Sequence, residues 1–145
     1  MLRAMASRDV YLDHLSSVPL FAACSRRELQ KIAKASDESH VAAGTVLVEQ
    51  GDTGRECYVI ITGTAAVKRT NRKVATLGPG DTIGELSLLD HGPRTATVAA
   101  ETEMDLLVLG SRQFAAVLEE VPSLARKLMA ALAARVRELD SKAFG

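Results

Sequence analysis

One stretch of the 145-residue chain combines residue types able to hold a small anionic ligand: Ile83-Gly-Glu-Leu-Ser-Leu-Leu-Asp-His-Gly-Pro-Arg-Thr-Ala-Thr-Val98. Gly84 and Glu85 open a short apolar helical turn, Leu86-Ser-Leu-Leu89, inside a region otherwise patterned as strand. The first turn of a helix presents amides without intrahelical partners and the positive end of the peptide dipoles, which favours an anion. Nine residues after Glu85, Arg94 opens the expected next strand, and its planar guanidinium suits bidentate contact with phosphate. Glu85 supplies an acceptor-only carboxylate that suits a sugar hydroxyl. Amides and arginine for phosphate, with a carboxylate for ribose, describe a nucleotide site. Taken alone, Glu85 and Arg94 read first as a surface ion pair worth under about 1 kcal/mol.

The rest of the chain must position these groups. From Ser7 to Ala35 the signal is helical, and Ser25-Arg-Arg-Glu28 reads as a capping box, followed by Leu29, Ile32 and Ala33 at helical spacing. From about Glu38 to Leu109 short strands alternate with turn residues. The expected strands are Val46–Glu49, Glu56–Ile61, Thr64–Thr70, Val74–Leu77, Arg94–Ala100 and Met104–Leu109. Eight of the ten glycines fall in this region, at turns that favour positive φ or close backbone approach. No helix separates the strands, which excludes parallel βαβ units and leaves an antiparallel sandwich or barrel. Ser111 is expected to cap a helix through Glu120, and Pro122 to start another in its first turn. Leu124, Leu128, Leu132, Val136 and Leu139 form an apolar stripe on that last helix, first of all a packing face. The expected fold is α+β, mainly β: one domain over residues 1–145, helical over 7–35, an antiparallel jelly-roll β-barrel over 38–109, and two C-terminal helices over 111–140.

Composition narrows the function. Eighteen Lys and Arg balance eighteen Asp and Glu, aromatics are 3% and Trp is absent. Such a chain lacks the broad basic face of a duplex binder, a polybasic membrane anchor and the stacking platforms of a single-strand binder. Cys24 and Cys57 are far apart and read as reduced thiols, while His14, His40 and His91 share no metal spacing. No local signature of a catalytic triad occurs. The start of the sequence has no apolar core of a signal peptide, and no apolar run reaches the roughly 18 residues of a spanning helix. The expectation is a cytoplasmic protein that is not an enzyme, binds no metal, no nucleic acid by this chain alone, and no membrane.

The 83–98 segment resembles the phosphate-binding cassette of the cyclic nucleotide-binding domain family, roughly F-G-E-L-A-L-L-x-x-x-P-R-A-A-T-V. It matches at Gly84, Glu85, Leu86, Leu88, Leu89, Pro93, Arg94, Ala96, Thr97 and Val98. Gly44-Thr-Val-Leu-Val-Glu-Gln-Gly-Asp52, Tyr58-Val-Ile-Ile-Thr-Gly63 and Leu77-Gly-Pro-Gly-Asp81 resemble the family's glycine-rich strands, so the resemblance spans about residues 15–140. It implies that Glu85 bonds the ribose 2′-hydroxyl and Arg94 the cyclic phosphate, with the backbone of Gly84, Leu86 and Ser87 against the ligand. Ser87 departs from the commoner alanine and adds a hydroxyl near the phosphate. Ile83 replaces the usual phenylalanine, which alters packing. Thr95 stands where cAMP-preferring domains often have alanine and cGMP-preferring ones threonine.

The resemblance implies a cyclic nucleotide sensor with cAMP as the expected ligand and cGMP as the alternative, Thr95 weakening that choice without reversing it. Ligand phosphate draws in the cassette, Leu86 shifts, and the C-terminal helix swings over the base. That helix offers Leu132, Arg135, Val136 and Leu139, and no aromatic before Phe144, so Arg135 or Leu132 is the expected lid. A homodimer through the C-terminal helix and an effector outside this chain are the implied protein partners. Three alternatives stand beside this. The domain is the sensor half of a transcription regulator, whose DNA contacts need residues outside this chain. It regulates an enzyme, transporter or channel. Or it is an interaction module that no longer binds nucleotide.

Overall fold

A computed structural model describes residues 8–144; Ser7, where the helical stretch was expected to begin, and the preceding Met1–Ala6 lie outside the described residues. Helix α1 (Arg8–Ser16) leads through a 3₁₀ turn at Pro19–Phe21 into α2 (Arg26–Ala35). The Ser25 hydroxyl accepts from the Glu28 amide and the Glu28 carboxylate accepts from the Ser25 amide, so the capping box forms.

Eight strands follow: β1 (Asp37–Val41), β2 (Val46–Val48), β3 (Glu56–Thr62), β4 (Ala65–Arg69), β5 (Arg72–Leu77), β6 (Thr82–Ile83), β7 (Thr97–Ala100) and β8 (Met104–Gly110). They pair antiparallel in two four-stranded sheets of order β1-β8-β3-β6 and β2-β7-β4-β5. The strand spacing allowed a sandwich or barrel, and the two packed sheets form the jelly roll of the expected fold. The edge strands β1 and β6 were not among the expected strands. β4 and β5 meet in a two-residue turn in which Thr70 (φ 52°) and Asn71 (φ 64°) are both left-handed, as a twisted hairpin requires.

The central strands β3 and β8 are buried on both faces. Cys57, Val59, Ile61, Leu107 and Leu109 face the helices, together with Leu12, Leu29, Ile32, Phe114, Leu124 and Leu128. Ile60, Met104 and Leu106 face the other way, into the space between the sheets, where Val48, Ala65, Ile83, Val98 and Ala100 meet them. The period of two thus places alternate residues of one strand in two separate cores. Phe21 and Phe114, with ring centroids 5.8 Å apart, join the N- and C-terminal helices.

Helix α4 (Ser111–Glu120) is capped differently from expectation. Gly110, not Ser111, occupies the cap position; the Gln113 side chain accepts from its amide, and the Ser111 amide donates to the Arg55 carbonyl. Helix α5 (Pro122–Phe144) starts at proline as expected. Its apolar stripe divides. Leu124 and Leu128 are buried and Leu132 packs against the helical core, but Val136 and Leu139 are exposed. No helix among the described residues is long and apolar enough to cross a membrane.

Candidate functional site

The site assembles where the β2–β3 loop meets the segment before β7. Arg94 does not begin β7, which starts at Thr97. Instead, residues 92–94 are zipped to residues 51–54: the Gly51 amide donates to the Arg94 carbonyl (2.8 Å), the Arg94 amide to Asp52 (2.7 Å) and the Gly54 amide to Gly92 (3.0 Å). Both backbone groups of Arg94 are thereby fixed, and its side chain has a defined origin. Gly51 (φ 92°) makes the turn that allows this pairing.

The guanidinium is then held by neutral acceptors. Nη2 donates to the Glu56 carbonyl (2.8 Å) and Nη1 to the Ser87 hydroxyl (3.1 Å). Two glycines leave it room. A Cβ on Gly84 would collide with Nη1 and stand 3.2 Å from the Glu56 carbonyl; one on Gly54 would collide with Ser87 Oγ and stand 2.9 Å from Arg94 Nε. Gly84 also has φ 73°, in the left-handed region. No carboxylate pairs with Arg94 among the described residues, so the ion pair between Glu85 and Arg94 does not form.

Glu85 turns the other way. Its Oε1 accepts from Arg135 Nη2 of α5 at 2.9 Å, and its side chain is only 15% exposed. Its Oε2 is buried and has no hydrogen-bond partner among the described residues. A buried carboxylate oxygen without a donor is costly, by about 1–3 kcal/mol, and marks a place where a donor belongs.

The helical turn is α3 (Ser87–Asp90), a single turn ended by His91 at φ 53°. The Ser87 and Leu88 amides are already used by the Gly84 and Glu85 carbonyls. The dipole of one short turn is correspondingly a smaller part of the anion attraction than the sequence suggested. Leu88 and Ser87 are buried, whereas Leu86 is 43% exposed and Leu89 39%. Thr95 is exposed. A cleft of about 460 Å³ opens beside Arg94, lined among others by Val46, Val48, Asp52, Glu56 and Tyr58.

The structure therefore brings together Gly84, Ser87 and Arg94, and joins Glu85 to Arg135. Leu132 packs on the helical cluster instead. Sequence reasoning missed Gly54, the Glu56 carbonyl and Tyr58; a glycine-rich loop upstream of the cassette was the one available signal for Gly54. The Tyr58 hydroxyl donates to Glu56 (3.1 Å), and burial raises its pKa, with the Glu56 carboxylate adding to the effect. Cys57 lies behind the site, its thiol pushed up to about 12 by burial. Among the described residues no group of three or more His, Cys, Asp or Glu converges on a metal site.

Among the described residues, then, Arg94 has no carboxylate partner and Glu85 Oε2 no donor, both on one jelly-roll cassette. The family model for the cyclic nucleotide-binding domain matches residues 38–121, and the chain belongs to that family. It is 32% identical over 127 residues to a cAMP-dependent protein kinase regulatory subunit of Hypocrea atroviridis, covering 88% of this chain and 28% of that protein. It is 34% identical over 127 residues to a cyclic AMP receptor protein of Thermus thermophilus, covering 84% of this chain and 59% of that one. The chain thus spans less than two thirds of either curated relative's length. Among solved structures, the N-terminal domain of a transcriptional regulator from Streptomyces coelicolor A3(2) superposes with a TM-score of 0.85 at 37% identity, over 90% of this chain and 94% of that one. The Thermus thermophilus catabolite activator protein gives 0.70 at 33% identity, over 86% of this chain and 61% of that one.

Proposed function

We propose that the chain, residues 1–145, acts as one cyclic nucleotide sensor that binds cAMP, with cGMP as the alternative ligand, and reports occupancy through its C-terminal helices. The observation that carries this reading is Arg94. The residue is fixed at both backbone groups, and its guanidinium is cradled by two glycines and bonded, among the described residues, only to a hydroxyl and a carbonyl. A cation held this way retains its charge for an incoming phosphate, and exchanges weak neutral partners for strong charged ones. Gly84, Leu86 and Ser87 line the phosphate and ribose, Ser87 Oγ passing from Arg94 to a phosphate oxygen. Glu85 Oε2 receives the ribose 2′-hydroxyl, and Thr95 lies next to the phosphate arginine at the rim.

Transmission runs through Arg135. It ties α5 directly to the ribose-binding glutamate, so a ligand that repositions Glu85 also acts on α5. A ligand biases only states that it binds unequally, and this ion pair gives the two states different contacts. Arg135, already bonded to Glu85, is the residue of α5 that would close over the base; Leu132, packed on the helical core, would have to leave it to take part. The exposed Met129, Val136 and Leu139 suit a second copy of the chain or an effector on the same helix. The likeness to the Streptomyces regulator's N-terminal domain favours, as the second reading, the sensor half of a transcription regulator. In either case the protein is a regulatory module of the cytoplasm without catalytic activity.

Calorimetric titration with cAMP and cGMP tests the proposal. Arg94→Ala removes a charge-assisted contact in a partly buried site and should weaken cAMP by about 2–5 kcal/mol, roughly 30- to several-thousand-fold. Wild-type affinity in Arg94→Ala, with the fold intact by circular dichroism, removes the phosphate assignment.

A further inference from the structure

The β4–β5 hairpin carries a concentration of charge that a chain of zero net charge does not need for its fold. Its tip reads Lys68-Arg-Thr-Asn-Arg-Lys73: four cations in six residues, all six exposed. The register sets like against like, with Lys68 opposite Lys73 and Arg69 opposite Arg72. Like charges directly across an antiparallel pair destabilise it. Only Lys73 is compensated, by Glu101 at 2.8 Å; the side chains of Lys68, Arg69 and Arg72 have no ion-pair partner among the described residues.

Protection of a sheet edge explains part of this. β5 is the edge of its sheet, and charges there discourage pairing with another chain. That purpose is served by Arg72 and Lys73 alone, and better served with acidic residues opposite them. It does not account for Lys68 and Arg69 on the interior strand β4. A repulsive arrangement retained on both strands is what a surface shows when its counter-charge comes from outside.

We propose that the hairpin tip is a docking surface for an acidic segment of a partner protein. Its size selects this partner. Three uncompensated cations on a narrow two-stranded ribbon match a few carboxylates on one short segment. Duplex binding draws on a wider field of phosphate contacts, and stable membrane attachment on a larger cluster or an inserted apolar anchor. The tip is also tied to the candidate site. The Thr70 amide donates to the Gln50 side chain at 3.0 Å, the Gln50 amide to Thr97 Oγ1 at 3.0 Å, and the neighbouring Gly51 amide to the Arg94 carbonyl at 2.8 Å. A segment seated on the hairpin therefore sits one loop away from the arginine, although the docking surface does not depend on what that arginine binds.

The test is fluorescence anisotropy of a labelled decaglutamate peptide with the full chain at low ionic strength. Saturable binding should appear, weaken steeply with added salt, and fall at least about tenfold in Arg69→Glu/Arg72→Glu. The exposed Arg112→Glu on α4 should leave it unchanged. Arg72→Glu alone converts the Arg69–Arg72 clash into an attractive pair, so it should lower peptide affinity while melting at or above the wild-type temperature. Absence of saturable binding, equal loss in Arg112→Glu, or a lower melting temperature for Arg72→Glu overturns the proposal. So does tighter, hairpin-dependent binding of duplex DNA or phosphatidylserine vesicles, which would assign the surface to a different partner.

Discussion

The orphaned oxygen of Glu85 sets up a thermodynamic cycle between two perturbations, Glu85→Ala and removal of the ligand's 2′-hydroxyl. Hydrogen bonds to charged groups contribute about 1.5–3 kcal/mol. Arg135 already engages Oε1 and draws carboxylate charge away from Oε2. The lower part of the range therefore applies, about 1.5–2 kcal/mol, or roughly 10- to 30-fold in affinity. In the wild type, 2′-deoxy-cAMP should bind weaker than cAMP by this factor, and in Glu85→Ala the two ligands should bind alike. Calorimetric titration of both proteins with both ligands yields the coupling energy directly. The unliganded variant should stay within about 1 kcal/mol of wild-type stability, because it loses a partly exposed ion pair and relieves an unsatisfied acceptor together. If Glu85→Ala still prefers cAMP over the 2′-deoxy ligand by the wild-type ratio, the hydroxyl goes elsewhere and the ribose assignment fails.

Three further outcomes follow from the same geometry. Bonds from Lys127, Ser123 and the Ser25 amide hold Glu28 down at about 2 against an ordinary 4.5, a depressed acid whose stabilisation is full above pH 4.5 and lost as pH falls toward 2. That shift corresponds to at most about 3.4 kcal/mol, and the cleft beside Glu28 admits solvent and reduces it to about 2 kcal/mol. Glu28→Gln should show this deficit in urea melts at pH 7 and converge on the wild type near pH 2; a constant difference across that window refutes the assignment. Gly84→Ala must adopt a left-handed φ and push aside the guanidinium, so cAMP affinity should fall beyond tenfold, whereas Gly44→Ala, left-handed but with nothing within 4 Å, should lose about 1 kcal/mol of stability and keep its affinity. Ending the chain after Leu128 removes Arg135 and should speed cAMP dissociation in stopped flow; an unchanged off-rate excludes α5 from the response.

The strands that could be read in the sequence are those with near-continuous apolar runs, such as Glu56–Thr62 and Met104–Gly110, whose alternate residues fill two cores. β1, Asp-Glu-Ser-His-Val, is an edge strand with almost no apolar pattern, and β6 has two residues; both exist because a neighbour offers a ladder. The cassette was legible because its residues are contiguous, with Ser87 and Arg94 seven residues apart, whereas the bonds that fix Arg94 to Gly51, Asp52 and Glu56 cross the sequence and were not. The partner of Glu85 was not, since Arg135 lies fifty residues away on another helix. Glu28 shows the same limit within one side chain. Its capping bond to Ser25 follows from a spacing of three, while its bonds to Ser123 and Lys127 cross most of the chain. The Ser111 cap failed because Gln113 can serve the preceding glycine equally well, a choice decided by where β8 ends.

The absence of tryptophan leaves the chain two native fluorophores, Tyr11 and Tyr58. Tyr11 packs against the helical core, while Tyr58 lines the cleft beside Arg94 and donates its hydroxyl to Glu56, whose carbonyl holds the guanidinium. The two rings thus stand on opposite sides of the sheet that separates the helices from the cleft. In a Tyr11→Phe protein all intrinsic emission would come from a single ring at the site, next to a carboxylate able to quench it. Occupancy could then be followed optically without a dye, and helix rearrangement recovered from the difference between the two proteins.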